Sequence, residues 1–353
     1  MKRLKIFLTF DHELPLGGIN TDYKHTLFKP TLQVLQLAEQ LDVRVTLFTD
    51  VCCALRFKEW DPEKFFRPYE EQVQYAVANG HDVQLHLHPH WLTSDFKSGS
   101  FVPSSDFKLS DFRNKKYPDD IAGIIEKGVD FLRSSCKPAD SNYNCIAFRA
   151  GGYNLEPASD IIFQELLRNG IRFDSSICPG YYFKSALSEI NYFDVPSAAN
   201  WRIAKDGNFR KSSSEGIVEI PIAGKPKSLF EIPTRFKMKK LSSRAPENRG
   251  KQIHESNPAG FAYKFKQAFS SRMLSFDNYT YSPSYLMEIL DYHVKKFSQS
   301  EIIMVSVIGH PKSMGDYSLH LMKSFVEQTR DKYRDQVEFL TYRQLNEQSE
   351  LKK

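Results

Sequence analysis

The chain has 353 residues, 41% of them hydrophobic, and a formal net charge of +5, a composition that supports a sizeable buried core in one or two globular domains. Its apolar runs, such as Ile302 to Ile308, are far shorter than the ~20 residues needed to cross a bilayer, which excludes a membrane span. Five cysteines without a CxxC spacing exclude a disulfide framework or a zinc knuckle. The basic start at Met1-Lys2-Arg3 is cut short by Asp11-His12-Glu13 with no cleavage site after it, so a reducing, cytoplasmic location is expected.

In chain order, β-branched and aromatic runs predict strands at Leu4–Phe10, Val43–Phe48, Val83–His88, Cys145–Arg149, Arg172–Asp174 and Ile302–Ile308. Helical periodicity predicts helices over Thr31–Leu41, Glu63–Asn79, Asp119–Ser134, Pro157–Asn169 and Pro283–Phe297. Pro30, Pro157 and Pro283 suit opening turns, and Asn79-Gly80 and Asn169-Gly170 suit closing caps. Such alternation favours a parallel sheet or barrel.

Two stretches, about 93–118 and about 181–280, break the alternation and read as insertions on a single domain covering 1–353. Between Lys225 and Arg272, twelve Lys and Arg residues face only three Glu, so the basic charge is local. That segment is either a solvated subdomain or a surface for an anion: a nucleotide diphosphate, a lipid-linked pyrophosphate or, through peripheral contact, a membrane leaflet. No nucleic-acid motif accompanies it, and no nucleic acid is expected.

The chemistry-bearing residues sit at predicted strand ends, the catalytic side of a barrel. Thr9-Phe10-Asp11-His12-Glu13 closes the first strand. Gly80 to Trp91 then gathers His81, His86, His88 and His90, four of the ten histidines, and imidazoles with a carboxylate make an open, catalytic type of metal site. His86 and His88 share parity on an extended strand, whereas His90 lies beyond Pro89 in a segment able to bend back. Spacing alone leaves that choice open. Phe148-Arg149-Ala150-Gly151-Gly152-Tyr153, Phe173-Asp174-Ser175-Ser176 and Ser306-Val307-Ile308-Gly309-His310-Pro311 follow.

In this order the five segments resemble the motifs of the polysaccharide deacetylase superfamily, also called NodB-homology or carbohydrate esterase family 4, in its intracellular surface-polysaccharide branch. The resemblance spans Thr9 to Pro311 and implies an irregular (β/α)7-type barrel, the glycoside hydrolase/deacetylase fold, here with a large basic insertion. It also implies a metal-dependent N-deacetylase with Asp11 as base, Arg149 orienting it, His310 as general acid, and Asp174 paired with Arg149 or His310. Gly80-His81-Asp82 followed by His86 and His90 matches the ligand-pair motif, making those two histidines the expected metal ligands, with His88 as an alternate.

The first motif departs from the usual pair of aspartates, since His12 occupies the second place. Glu13 is preferred as the third ligand because strand alternation points it the same way as Asp11, and His12 is the alternative. In the third motif Gly151-Gly152 replaces the usual prolines. Gly152 and Tyr153 are expected near the substrate with Trp91. The implied cofactor is a divalent metal, zinc before cobalt or nickel. The implied substrate is an acetylated sugar, carried on a nucleotide or a lipid pyrophosphate. Two competing readings use the same residues: an allantoinase-like hydrolase of another C–N bond, and an inactive carbohydrate-binding homologue.

Overall fold

The computed structural model describes residues 3–16, 22–97, 100–228, 244–246 and 260–350. Nine strands form its main sheet: β1 (Arg3–His12), β2 (Thr46–Asp50), β3 (Asp82–Leu87), β4 (Ala147–Ala150), β5 (Phe173–Asp174), β6 (Trp201–Ile203), β7 (Ile217–Glu219), β8 (Ile302–Gly309) and β9 (Val337–Phe339). Their spatial order is β6-β7-β5-β4-β3-β2-β1-β8, with β9 beside the start of β1. All pairings are parallel except β6 on β7. The sheet curls until the segment after β7 meets β8 through the parallel bridge Ile222↔Ser306. The seven parallel staves make an irregular α/β barrel of the expected type.

Strand parity divides each stave between two cores. Leu4, Ile6, Leu8 and Phe10 of β1 join the large apolar cluster beneath the helices, while Phe7 packs with Phe48 and Phe173 inside the barrel. Because both faces are covered, β1 reads as a nearly continuous apolar run, as buried parallel strands do. The interior column of β1 is therefore Phe7, Thr9, Asp11 and Glu13, and it ends in carboxylates at the mouth.

The connecting helices bury one face. These are α1 (Lys29–Gln40), α2 (Val51–Trp60), α3 (Arg67–Ala78), α4 (Ile121–Cys136), α5 (Ser159–Arg168), α6 (Phe261–Phe269), α7 (Pro283–Lys296) and α8 (Asp316–Tyr333). Three of them, α2, α4 and α7, have side-chain N-caps from Asp50, Asp120 and Ser282. In α4, Ile121, Ile124, Ile125, Val129 and Leu132 are buried at helical spacing, each contributing about 1.5–3 kcal/mol on burial. Asp120 caps it by accepting from Gly123 N at 2.9 Å, worth about 1 kcal/mol. No helix among the described residues is long and apolar enough to cross a membrane.

The structure departs from expectation in two stretches. Helix α2, capped by the Asp50 side chain, follows β2 without a break, so the sequence offered no turn to mark it. The stretch from 181 to 280 is not wholly an excursion from the barrel, because it supplies stave β7. Gly216-Ile217-Val218-Glu219-Ile220-Pro221 is a short strand between breakers, masked in the sequence by the irregular segments around it. Of the basic segment, Arg235, Lys237, Lys239, Lys240, Arg249 and Lys251 lie outside the described residues.

Candidate active site

The C-terminal ends of β1, β3, β4 and β8 bring two carboxylates, three cationic or imidazole partners and two further histidines together. Asp11 and Glu13 face the interior, while His12 turns outward under the helices. There the His12 ring sits 2.9 Å from Gln72 Oε1 and 3.3 Å from Thr49 Oγ1, and burial lowers its pKa to about 4. His12 is thus a neutral packed residue on the far side of the strand from Glu13.

Asp11 is gripped by Arg149, whose Nη1 donates to Asp11 Oδ1 at 2.6 Å. The guanidinium is fully buried and is held in place by Thr9 Oγ1 (2.8 Å), Ser175 O (2.8 Å) and Ser175 Oγ (3.0 Å). It also lies 4.3 Å from the Phe48 ring centroid. Burial by itself would raise the Asp11 pKa, but the Arg149 charge together with His86 and His310 outweighs it and holds the carboxyl well below the usual range. Asp11 stays ionised throughout the neutral range.

Glu13 divides its two oxygens. Oε1 accepts from Lys312 Nζ at 2.8 Å, whereas Oε2 lies 3.3 Å from His86 Nε2 and in contact with His88 Nε2. Burial works against its charge, but the Lys312 ammonium together with His88 and His86 outweighs it and keeps Glu13 ionised. His86 Nδ1 donates to the Arg149 carbonyl at 2.8 Å, which fixes the ring with Nε2 on the Glu13 side, the nitrogen through which a metal-binding imidazole would act. One ligand atom from each of Glu13, His86 and His88 lies within 4.8 Å of the others.

The expected pair His86 and His90 is therefore not the pair that meets Glu13. His86 and His88 continue the same face of β3, whereas the turn His90–Thr93 after Pro89 carries His90 sideways. Its ring packs on Trp91 at 4.8 Å and Phe107 at 5.6 Å, and burial depresses its pKa to about 3. Trp91, expected near the substrate, is instead fully buried against Phe57 and Phe101.

His310 stands across from these groups, its Nε2 3.4 Å from Asp11 Oδ2 and 3.7 Å from Glu13 Oε1. Its Nδ1 donates to Asp277 Oδ2 at 2.7 Å. Burial opposes charge on the ring, but Asp277 and Asp11 raise its pKa to about 10. Asp277, which the motifs do not contain, thus has the position expected for Asp174. It is brought there by the bridge Ser275↔Ile308.

Asp174 points the other way because Phe173 and Ser175 take the interior positions of β5. It bonds Ser176 Oγ at 2.7 Å and shares a hydrogen bond with Glu219, both carboxyls being fully buried. Burial pushes both pKa values up, that of Glu219 furthest. An acid with a raised folded-state pKa gives up stability as pH rises from its unfolded value towards its folded one. Glu219→Gln should therefore gain on the parent protein by up to about 1.4 kcal/mol per pH unit between the unfolded and folded pKa values of Glu219. Thermal melts at pH 5 to 8 check this, and a gap constant with pH would refute it.

Beside His310 opens a cavity of about 640 Å³ lined by Tyr153, Tyr181, Lys227, Tyr263, Arg272, Asp277 and Tyr281. Tyr153 follows Gly152 in a turn where both have positive φ, 60° and 57°. At Gly151 a Cβ would fall 2.2 Å from the Leu87 carbonyl, so the glycine permits β3 and β4 to approach at the mouth. Lys312 and Asp277 are the groups that motif matching passed over, and nothing in the sequence signalled them; His88, named there as an alternate, was signalled by its parity with His86.

No protein-family model and no curated protein matches the chain. Among solved structures it resembles a Mycobacterium smegmatis protein assigned as a polysaccharide deacetylase, at 13% identity over 99% of this chain and 91% of that one, with a TM-score of 0.51. Puue allantoinase follows at 12% identity, 97% and 88% coverage and a TM-score of 0.49. A Pseudomonas aeruginosa PAO1 protein assigned as a polysaccharide deacetylase gives 12%, 97%, 89% and 0.48. The first of these likenesses shows a shared fold.

Proposed function

We propose that the chain is a metal-dependent hydrolase that removes an N-acetyl group from a sugar of a surface-polysaccharide precursor. The observation that supports this most directly is the Glu13, His86 and His88 group lying between an arginine-held carboxylate and an aspartate-held histidine. The donor set fits a divalent cation, zinc before cobalt or nickel: a carboxylate oxygen and two imidazoles leave positions open. His88 Nε2 is buried directly against Glu13 Oε2, so a cation here would find an imidazole and a carboxylate already side by side.

When bound, the cation would supply Lewis acidity at the acetamide carbonyl and lower the pKa of water. The protein's own groups do the rest. Asp11, kept ionised by Arg149, accepts the proton of the attacking water. His310, kept as imidazolium by Asp277, donates a proton to the departing amine. Asp11 Oδ2 and His310 Nε2 lie 3.4 Å apart at the barrel mouth, so both would reach an amide entering from the opening that Tyr153 and His310 line.

The aromatic cavity beside His310 suits a sugar face, since tyrosine rings present flat apolar surface with a polar edge. Lys227 and Arg272 in its wall support a substrate that carries an anion, such as a nucleotide or lipid pyrophosphate. Such a substrate is a biosynthetic intermediate of the cytoplasm, where we place the protein. Acetate release from zinc-loaded protein given UDP-N-acetyl sugars and neutral N-acetyl oligosaccharides tests the reading. No acetate from any of them would end it.

The acid role makes a separate prediction. Asp277→Asn removes the main support of the His310 charge, so kcat/KM should fall about 10- to 100-fold. The alkaline limb of the pH–rate profile should also move to lower pH, because the acid form is lost sooner as pH rises. An unchanged limb would remove His310 from that role.

A further inference from the structure

We propose that Lys312 is a positioning residue that splits the Glu13 carboxylate, taking Oε1 for its own ammonium and leaving only Oε2 for a cation, which is thereby held weakly. The inference rests on the metal-site reading above. Lys312 Nζ lies 2.8 Å from Glu13 Oε1 and 3.2 Å from the Leu14 carbonyl, and its side chain is 4% exposed. The single turn Pro311–Ser313 directly after His310 carries it, and both of its hydrogen bonds are buried. Glu13 Oε2 meanwhile faces His86 and His88.

Two consequences follow. Coordination through both oxygens of Glu13 is blocked, and a positive charge stands one carboxylate away from the dication. Removing Lys312 costs Glu13 one hydrogen bond but leaves both imidazoles. It also removes a like-charge repulsion in a poorly screened interior, which is the larger effect.

The test is a chelator-competition titration of zinc into the full chain, alongside the visible spectrum of the cobalt-loaded protein. It compares the parent with Lys312→Met, Lys312→Gln and Lys312→Arg, each checked by its melting curve. Met and Gln should bind zinc at least about tenfold tighter, and their cobalt bands should weaken as Glu13 adds its second oxygen. Arg, which keeps the charge, should stay near the parent. If the parent binds metal and the folded Met and Gln variants bind it equally or less tightly, this proposal falls and the proposed function stands. If neither the parent nor any variant binds zinc or cobalt, both fall.

Discussion

Asp11→Asn should lower kcat by about 10²- to 10⁴-fold, the usual contribution of a general base, while the protein still takes up one equivalent of metal. The amide keeps the shape of the carboxylate but cannot accept the proton. It stands beside the metal group rather than in it, since Glu13, His86 and His88 are the residues whose ligand atoms converge. The variant will also be less stable, because Arg149 is fully buried and loses its counter-charge, a change that costs about 3–5 kcal/mol when a buried pair is broken. The bonds from Arg149 to Thr9 and Ser175 remain and limit that loss. Elemental analysis, kinetics and a melting curve on the same sample separate these effects. Loss of metal from a folded Asp11→Asn protein would make Asp11 a ligand and leave the base unassigned.

His88→Ala and His90→Ala should give opposite results. His88→Ala removes one of the three converging donors and should weaken metal binding by more than about 100-fold, beyond the loss typical of an outer-shell change. His90→Ala should leave metal content unchanged but lower stability by about 2–4 kcal/mol. It deletes a buried ring packed against Trp91 and Phe107 and leaves a void. Metal titration and melting of both variants decide the matter. Metal lost with His90 and kept without His88 would restore the pair implied by motif spacing.

Much of the architecture was legible because strand and helix periods are local properties. The strand at Leu4–Phe10, the histidine-bearing end of Val83–His88 and the parity that sets Asp11 and Glu13 on one face with His12 on the other need only neighbouring residues and a period of two. Arg149 and His310 were named through the order of their motifs, and each lies at its strand end in the barrel mouth.

Local sequence pattern thus sets which side chains each strand end can present. Which of them meet was decided only by the closed barrel. Asp11 reaches Arg149 across 138 positions, and Glu13 reaches Lys312 across 299. These meetings depend on the register of parallel staves and on closure through Ile222↔Ser306, neither of which leaves a mark in a local pattern. Strand parity turns Asp174 outward, the register of β7 on β5 sets Glu219 beside it, and the bridge Ser275↔Ile308 brings Asp277 from beyond stave β7 to His310. The physical reason is that alternation is enforced by backbone geometry within a few residues, whereas partnership across a barrel is enforced by packing of the whole sheet.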